Sequence, residues 1–324
     1  MPSPLECYPL SEQRIVFIAN PAAGKGREGR NRERIRAEVE RAGVSGTWLE
    51  TEGPDHGVAL AEESARGGAA IVVAVGGDGT VNEVVGGLMR VPSEARPILG
   101  VLPAGTGCDY ARLLGHRRWD IAGAAAILRD QAVRAMDAGD VNGRYFANGV
   151  GLGFDGAVAA DAAKLRLIRG FAAYLTAVFR VLRTWENFRL VAEVDGEILD
   201  GPAILAAVTI GPASGGGFYL TPDAKPDDGL FDFCRLGDFR KLEAVRHLPK
   251  ALDGSHVRLS KTTMRRGRSV TLRSDRPLIA HVDGNVTCGV AYDTPLVFRM
   301  HERALRVIGN WGRPEAENGA QGRN

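Results

Sequence analysis

Gly76-Gly77-Asp78-Gly79-Thr80-Val81-Asn82-Glu83 sets a single carboxylate among glycines directly after an apolar run. Glycines permit positive φ and leave no Cβ between the backbone and a ligand. A turn of this kind that feeds a helix presents unpaired N–H groups and a positive dipole end, which suits a phosphate. Asp78 is the unusual member, because a carboxylate beside bound phosphate makes sense mainly with a cation such as Mg²⁺ between them. Thr80 and Glu83 have capping-box spacing, which predicts a helix start near Thr80. The plainer reading is a tight turn with Asp78 solvated; the coincidence of glycines, acid and capping box favours the phosphate site. A second loop, Asn20-Pro21-Ala22-Ala23-Gly24-Lys25-Gly26, looks similar but lacks the GxxxxGK[ST] order, so it is no Walker A loop. A third is Pro103-Ala104-Gly105-Thr106-Gly107. Gly151-Leu152-Gly153-Phe154-Asp155-Gly156 satisfies GxGxxG, yet no acid lies between Ala162 and Trp185 to hold a ribose, so a dinucleotide site is not read there.

These loops need strands to carry them. Ile71–Val75 is an unbroken β-branched and small apolar run, the mark of a strand covered on both faces. Arg14–Ala19, Trp48–Glu52 and Pro97–Leu102 are further strands, and helices over Arg30–Ala42, His56–Arg66, the stretch after Thr80, and Asp109–Leu114 alternate with them. The alternation predicts a doubly wound parallel α/β sheet whose ligands lie beyond the strand C-termini. From about Ala135 the texture changes to strands at Arg144–Val150, Arg189–Val194, Ala203–Ile210, Leu230–Leu236, Ser269–Leu272 and Leu278–Val282. Asp195-Gly196, Asp228-Gly229 and Asp283-Gly284 read as turns between them. We therefore expect a nucleotide-binding α/β domain over 1–136 and a β-rich antiparallel sandwich over 137–300. His301–Ile308 reads as a helix that returns, with 301–311, to the first domain, and 312–324 as a polar disordered tail. Gly156–Glu186 reads as one helix carrying Lys164, Arg166, Arg169, Arg180 and Arg183. It is either a core helix with a solvated basic face or one that lies on an anionic membrane.

Composition narrows the class. A chain of 324 residues that is 44% hydrophobic can bury a large core in two domains. With 25% charged residues and a net charge of +2, no bulk field points to nucleic acid. The cysteines, Cys7, Cys108, Cys234 and Cys288, show neither disulfide density nor zinc spacing. The N-terminus lacks a signal-peptide pattern and no apolar run reaches membrane-spanning length, so a soluble cytoplasmic protein is expected.

Gly76 to Leu88 (GGDGTVNEVVGGL) resembles the catalytic domain of the diacylglycerol-kinase-type lipid kinases, a group that includes sphingosine and ceramide kinases. Asn20-Pro21 with Gly24-Lys25-Gly26, Pro103 to Asp109, Pro222-x-Ala224-x-x-Asp227-Asp228-Gly229-Leu230 and His281-Val282-Asp283-Gly284 follow in the same order. The resemblance spans about 14–300 and implies an NAD-kinase-like α/β domain followed by a β-sandwich-like domain. It implies that Asn20, Thr51, Gly77, Asp78, Gly79, Thr80, Val81, Asn82, Glu83 and Thr106 hold ATP, with Asp78 organising Mg²⁺. It implies that Asp228 binds a structural cation with the carbonyls of Lys225 and Leu230, and that Asp283 takes the proton from a lipid hydroxyl at the membrane surface; read without the family, Asp283 is a turn residue. A peripheral membrane contact and a homodimer accompany this reading. Cys108 stands where the family has Asn and Asn285 where it has Glu, departures that point to an unusual acceptor or a weakened catalyst. Diacylglycerol is the first acceptor, a sphingoid base or ceramide the next. NAD and sugar kinases also use Gly-Gly-Asp-Gly, but Asn82-Glu83 within the same helix favours the lipid branch. A regulator that binds nucleotide or lipid without turnover is the non-enzymatic alternative.

Overall fold

A computed structural model describes residues 14–165 and 170–311. The expectations for the N-terminus, for Arg166 and Arg169, and for the 312–324 tail fall outside them. In chain order the elements begin β1 (Ile15–Ala19), α1 (Ala23–Arg41), β2 (Thr47–Glu50), α2 (His56–Arg66), β3 (Ile71–Gly76), α3 (Asp78–Leu88) and β4 (Ile98–Pro103). Next come α4 (Asp109–Leu113), α5 (Ile121–Asp130), β5 (Val133–Val141), β6 (Arg144–Phe146), β7 (Gly149–Gly153), α6 (Phe154–Lys164) and α7 (Gly170–Thr184). Then follow β8 (Phe188–Val194), β9 (Glu197–Ala203), β10 (Leu205–Thr209), β11 (Phe231–Leu236) and α8 (Lys241–Leu252). The series closes with β12 (Thr262–Gly267), β13 (Ser269–Ser274), β14 (Leu278–Val282), β15 (Asn285–Val290) and β16 (Leu296–Ile308).

The described residues form two compact units, one of 14–105, Leu114–Arg134 and 305–311, the other of Thr106–Leu113 and Ala135–Ala304. In the first, β2, β1, β3 and β4 lie side by side in parallel, and the end of β16 joins β4 through Val307 and Leu99. Phe17, Val73 and Val75 pack with Ile35 and Val39 of α1 and Ala124 and Leu128 of α5. Val16, Ile18, Val72 and Ala74 point the other way and are equally buried, because α2 and α3 cover that face. Burial on both faces is why β1 and β3 are apolar at every position.

The second unit is a sandwich. One sheet runs β12-β11-β10-β7-β14-β15; the other contains β16, β13, β8 and β9, with β5 on β16 and β6 on β5. Phe146, Phe188, Phe231, Phe233 and Phe298 fill the space between, and β8 alternates buried and exposed as a half-buried strand must. The outer face of the six-stranded sheet is covered by α6, α7 and α8, where Phe154, Val178, Leu182, Leu205 and Phe218 form a further core.

Three local expectations are corrected. His301–Ile308 is the end of a strand, and Leu305 and Val307 bury alternate positions of it. The helical stretch of 156–186 is two helices, α6 and α7. Asp195-Gly196 and Asp283-Gly284 do make hairpin turns with positive φ at both residues, but at Asp228-Gly229 only the glycine has positive φ and no hairpin forms.

Candidate active site

The C-terminal ends of the first unit's strands are in register: Ala19 pairs with Glu50 and with Val75, and Gly76 pairs with Pro103. Asn20, Thr51 and Gly77 each follow directly, so these predicted residues share one edge. Thr106 is exposed, three residues beyond the end of β4. Asn20 organises its loop twice, accepting from the Ala22 N–H at 3.0 Å and donating to Thr80 Oγ1 at 3.3 Å. Gly24, Lys25 and Gly26 are all left-handed, so the chain coils the opposite way before α1 proper begins. Gly24 is needed for space too, since a Cβ there would lie 2.9 Å from the Trp119 ring.

Helix α3 begins two residues earlier than its capping box predicts. Gly77 is the N-cap, extended and without a side chain to satisfy the first-turn N–H groups, and Asp78 is the first helical residue. Glu83 serves another helix: its carboxylate accepts from Asp55 N at 3.2 Å and Gly57 N at 2.9 Å, capping α2. Thr80 is buried against Gly76, where any Cβ would strike its hydroxyl. Val81 and Asn82 are buried, and the Val81 N–H is bonded to the Gly77 carbonyl. Of the predicted stretch, Gly77, Asp78 and Gly79 are the half-buried residues at the helix start, and the remainder supports them. An acid at the head of a turn of N–H donors fits Mg²⁺ carried in on phosphate.

A second constellation lies in the β-rich unit. Asp283 is buried in the β14–β15 turn and accepts three backbone hydrogen bonds, from Ala147 N at 2.8 Å, Asn148 N at 3.1 Å and Gly149 N at 2.7 Å. Two residues earlier on β14, His281 contacts Asp155 Oδ2 through Nε2 at 2.8 Å, and Tyr174 Oη donates to Asp155 Oδ1 at 3.0 Å. Asp155 and His281 are buried and Tyr174 is half-buried. Burial by itself would raise the Asp155 carboxyl, but the His281 ring and the Tyr174 hydroxyl hold it below its ordinary value. Burial likewise opposes charge on His281, yet Asp155, with Asp283 and Asp109 near, raises its pKa. Asp109 is raised by burial against the pull of Arg112, and it anchors the 215–217 glycines by accepting from the Gly216 N–H at 2.6 Å. Asn285, half-buried, opens β15 beside this turn, and Cys108 is buried.

Sequence reasoning named Asp283 and missed Asp155, His281, Tyr174 and Asp109. The signal for Asp155 lay inside the discounted Gly151–Gly156 stretch. Those glycines are there for contact, since a Cβ on Gly151 would collide with Asp155 and His281, and one on Gly156 with the Ile279 carbonyl. Asp155 also borders an apolar cavity lined by Phe154, Tyr174, Val178, Leu205, Phe218, Leu220, Phe239 and Leu248.

The cation predicted at Asp228, Lys225 and Leu230 does not fit the residues as they stand. Asp228 Oδ1 accepts from Leu230 N at 3.2 Å, and Oδ2 is paired with the Arg266 guanidinium. Among the described residues no three acid, histidine or cysteine side chains are grouped to hold a metal ion.

Residues 14–141 match the diacylglycerol kinase catalytic domain, and residues 148–309 match the YegS C-terminal NAD kinase beta sandwich-like domain. A diacylglycerol kinase of Bacillus subtilis (strain 168) is 32% identical over 273 residues, covering 84% of this chain and 89% of that one. A diacylglycerol kinase of Staphylococcus haemolyticus is 32% identical over 272 residues, covering 84% and 81%. The crystal structure of a diacylglycerol kinase from Bacillus anthracis superimposes with a TM-score of 0.70 at 24% identity, covering 92% of this chain and 97% of that one, a likeness of fold. No helix among the described residues is long and apolar enough to cross a membrane.

Proposed function

Because the chain belongs to the diacylglycerol kinase catalytic-domain family, we propose that it transfers the γ-phosphoryl group of ATP to the free hydroxyl of a diacylglycerol. The observation that carries this reading beyond family membership is the enclosed carboxylate network bordering an apolar cavity, in a chain that also builds a glycine cradle for phosphate. The first-turn N–H groups of α3, with Asn20 and Thr51, bind the nucleotide. Asp78 is the residue that would hold Mg²⁺, which when bound neutralises charge on the phosphates. Thr80 keeps the cradle in shape and Glu83 caps α2, so neither side chain touches the nucleotide.

On the acceptor side the cavity takes an acyl chain, and Asp155 at its polar margin orients the glycerol end. Asp283 takes the hydroxyl proton. Its three N–H donors fix the carboxylate but compete with that proton for its lone pairs, so little of the rate is assigned to the base step. Phosphoryl transfer tolerates this, because its loose transition state asks mainly for positioning and charge stabilisation. The enzyme works from the aqueous side on lipid presented at a membrane surface.

The test is transfer of radiolabelled γ-phosphate from Mg·ATP into mixed micelles containing diacylglycerol, ceramide, sphingosine or no added lipid. Label in diacylglycerol alone is expected. Label in sphingosine or ceramide would move the acceptor assignment, and label in no lipid with ATP binding intact would refute it.

A further inference from the structure

The loop before β11 and the start of that strand concentrate acid. Asp223, Asp227, Asp228 and Asp232 fall within ten positions, and Asp137 reaches in to accept from the Gly229 N–H at 2.7 Å. Such a density of carboxylates calls for a cation. One comes from the protein. The β11–β12 register sets Asp232 directly opposite Arg266, and Arg266 Nε lies 3.1 Å from Asp232 Oδ1 while its Nη2 pairs with Asp228 Oδ2. A guanidinium is a planar fork that can hold two carboxylates at once, which is the geometry seen here. A divalent ion using Asp228 with the Lys225 and Leu230 carbonyls would have to share the carboxylate with that guanidinium, and the two positive charges would repel.

We propose that Arg266 is a built-in counter-ion that takes the place of a divalent cation between Asp228 and Asp232, so that this chain orders the approach to β11 without metal. Asp232 Oδ2, buried and without a protein partner, marks where a cation would reach if the proposal were wrong. The inference does not depend on the identity of the acceptor lipid, because its test uses neither lipid nor nucleotide.

Thermal unfolding of the full chain, dialysed against EDTA and then supplied with millimolar Mg²⁺ or Ca²⁺, decides the matter. The wild type should melt at the same temperature in all three conditions. Arg266→Ala should melt several degrees lower and recover part of the loss on adding either cation, and that recovery should vanish in the Arg266→Ala/Asp228→Asn double variant. A wild-type melting temperature that rises with the cation, or an Arg266→Ala protein indifferent to it, overturns the proposal. Should Arg266→Ala fail to fold, Mn²⁺ titrations of the wild type and Asp228→Asn still decide. Equal binding by both is expected, and a site lost only in Asp228→Asn contradicts the idea.

Discussion

The proposed phosphate side and the proposed acceptor side of this kinase are built in opposite ways. Around Gly77–Gly79 the working groups are backbone N–H donors at the head of α3, the Thr80 side chain braces the turn, and Glu83 ties α3 to the start of α2. Around Asp155 the working groups are side chains from α4, α6, α7 and β14, with Tyr174 19 residues and His281 126 residues from Asp155 in the chain. A backbone-built site is written in one contiguous stretch and survives most changes of side chain. A side-chain network is only as good as its least satisfied member. The lesson is that the first should fail by losing chemistry and the second by losing structure and chemistry together.

The largest expected effect breaks the phosphate side alone. Asp78→Ala should lower kcat/KM by about 10³-fold while leaving the melting temperature near that of the wild type, because a half-buried first-turn acid contributes little to folding. Steady-state transfer and thermal unfolding on the same preparation check both halves.

Asp155→Asn should break both properties at once, lowering transfer and costing roughly 3 kcal/mol by leaving a buried histidine without its partner. The cost should depend on pH. The raised pKa of His281 makes its share complete below about 6.5 and lost as pH rises through the folded value. The lowered pKa of Asp155 makes its share complete above about 3.9 and lost as pH falls through the folded value. The melting-temperature gap to the wild type should therefore be widest between about pH 4 and 6.5. A gap constant from pH 4 to 9 would count against the charged pair. Tyr174→Phe removes one donor from the same carboxylate and should cost roughly 1–2 kcal/mol, with a raised KM for diacylglycerol and an unchanged KM for ATP.

The smallest effect sharpens the contrast from the other unit, where Glu28 is a buried acid outside the cradle. Burial, with Glu50 adding to it, pushes Glu28 up to about 7, and its Oε2 has no protein partner. Stability is lost as pH rises from the ordinary value toward 7, since the unfolded chain ionises first. Glu28→Gln should melt roughly 2–4 °C higher than the wild type at pH 8 and about level with it at pH 5.

The same contrast explains what could be read in advance. Ile71–Val75 and the glycines after it announce strand, turn and helix by local rules, and so do the Asp195-Gly196 and Asp283-Gly284 hairpins. What escaped depends on contacts that no spacing encodes. Glu83 stands at capping distance from Thr80 but is drawn to α2 by two unmet N–H groups there. His301–Ile308 has a helix-like composition, yet pairing of Val307 with Leu99 holds it as strand. Arg266 lies 38 residues from Asp228, and only the β11–β12 register reveals that they meet. Asp155 was hidden because its glycine neighbours imitate a dinucleotide loop while serving a close strand–helix contact.

The separation of the two sides is tested most directly by calorimetric titration of Mg·ATP into wild-type, Asp78→Ala and Asp155→Asn proteins. Asp78→Ala should lose the Mg²⁺-dependent part of the affinity, while Asp155→Asn should bind the nucleotide as the wild type does despite poor transfer to diacylglycerol. Equal weakening in both variants, or undiminished Mg²⁺-dependent binding in Asp78→Ala, would contradict that separation.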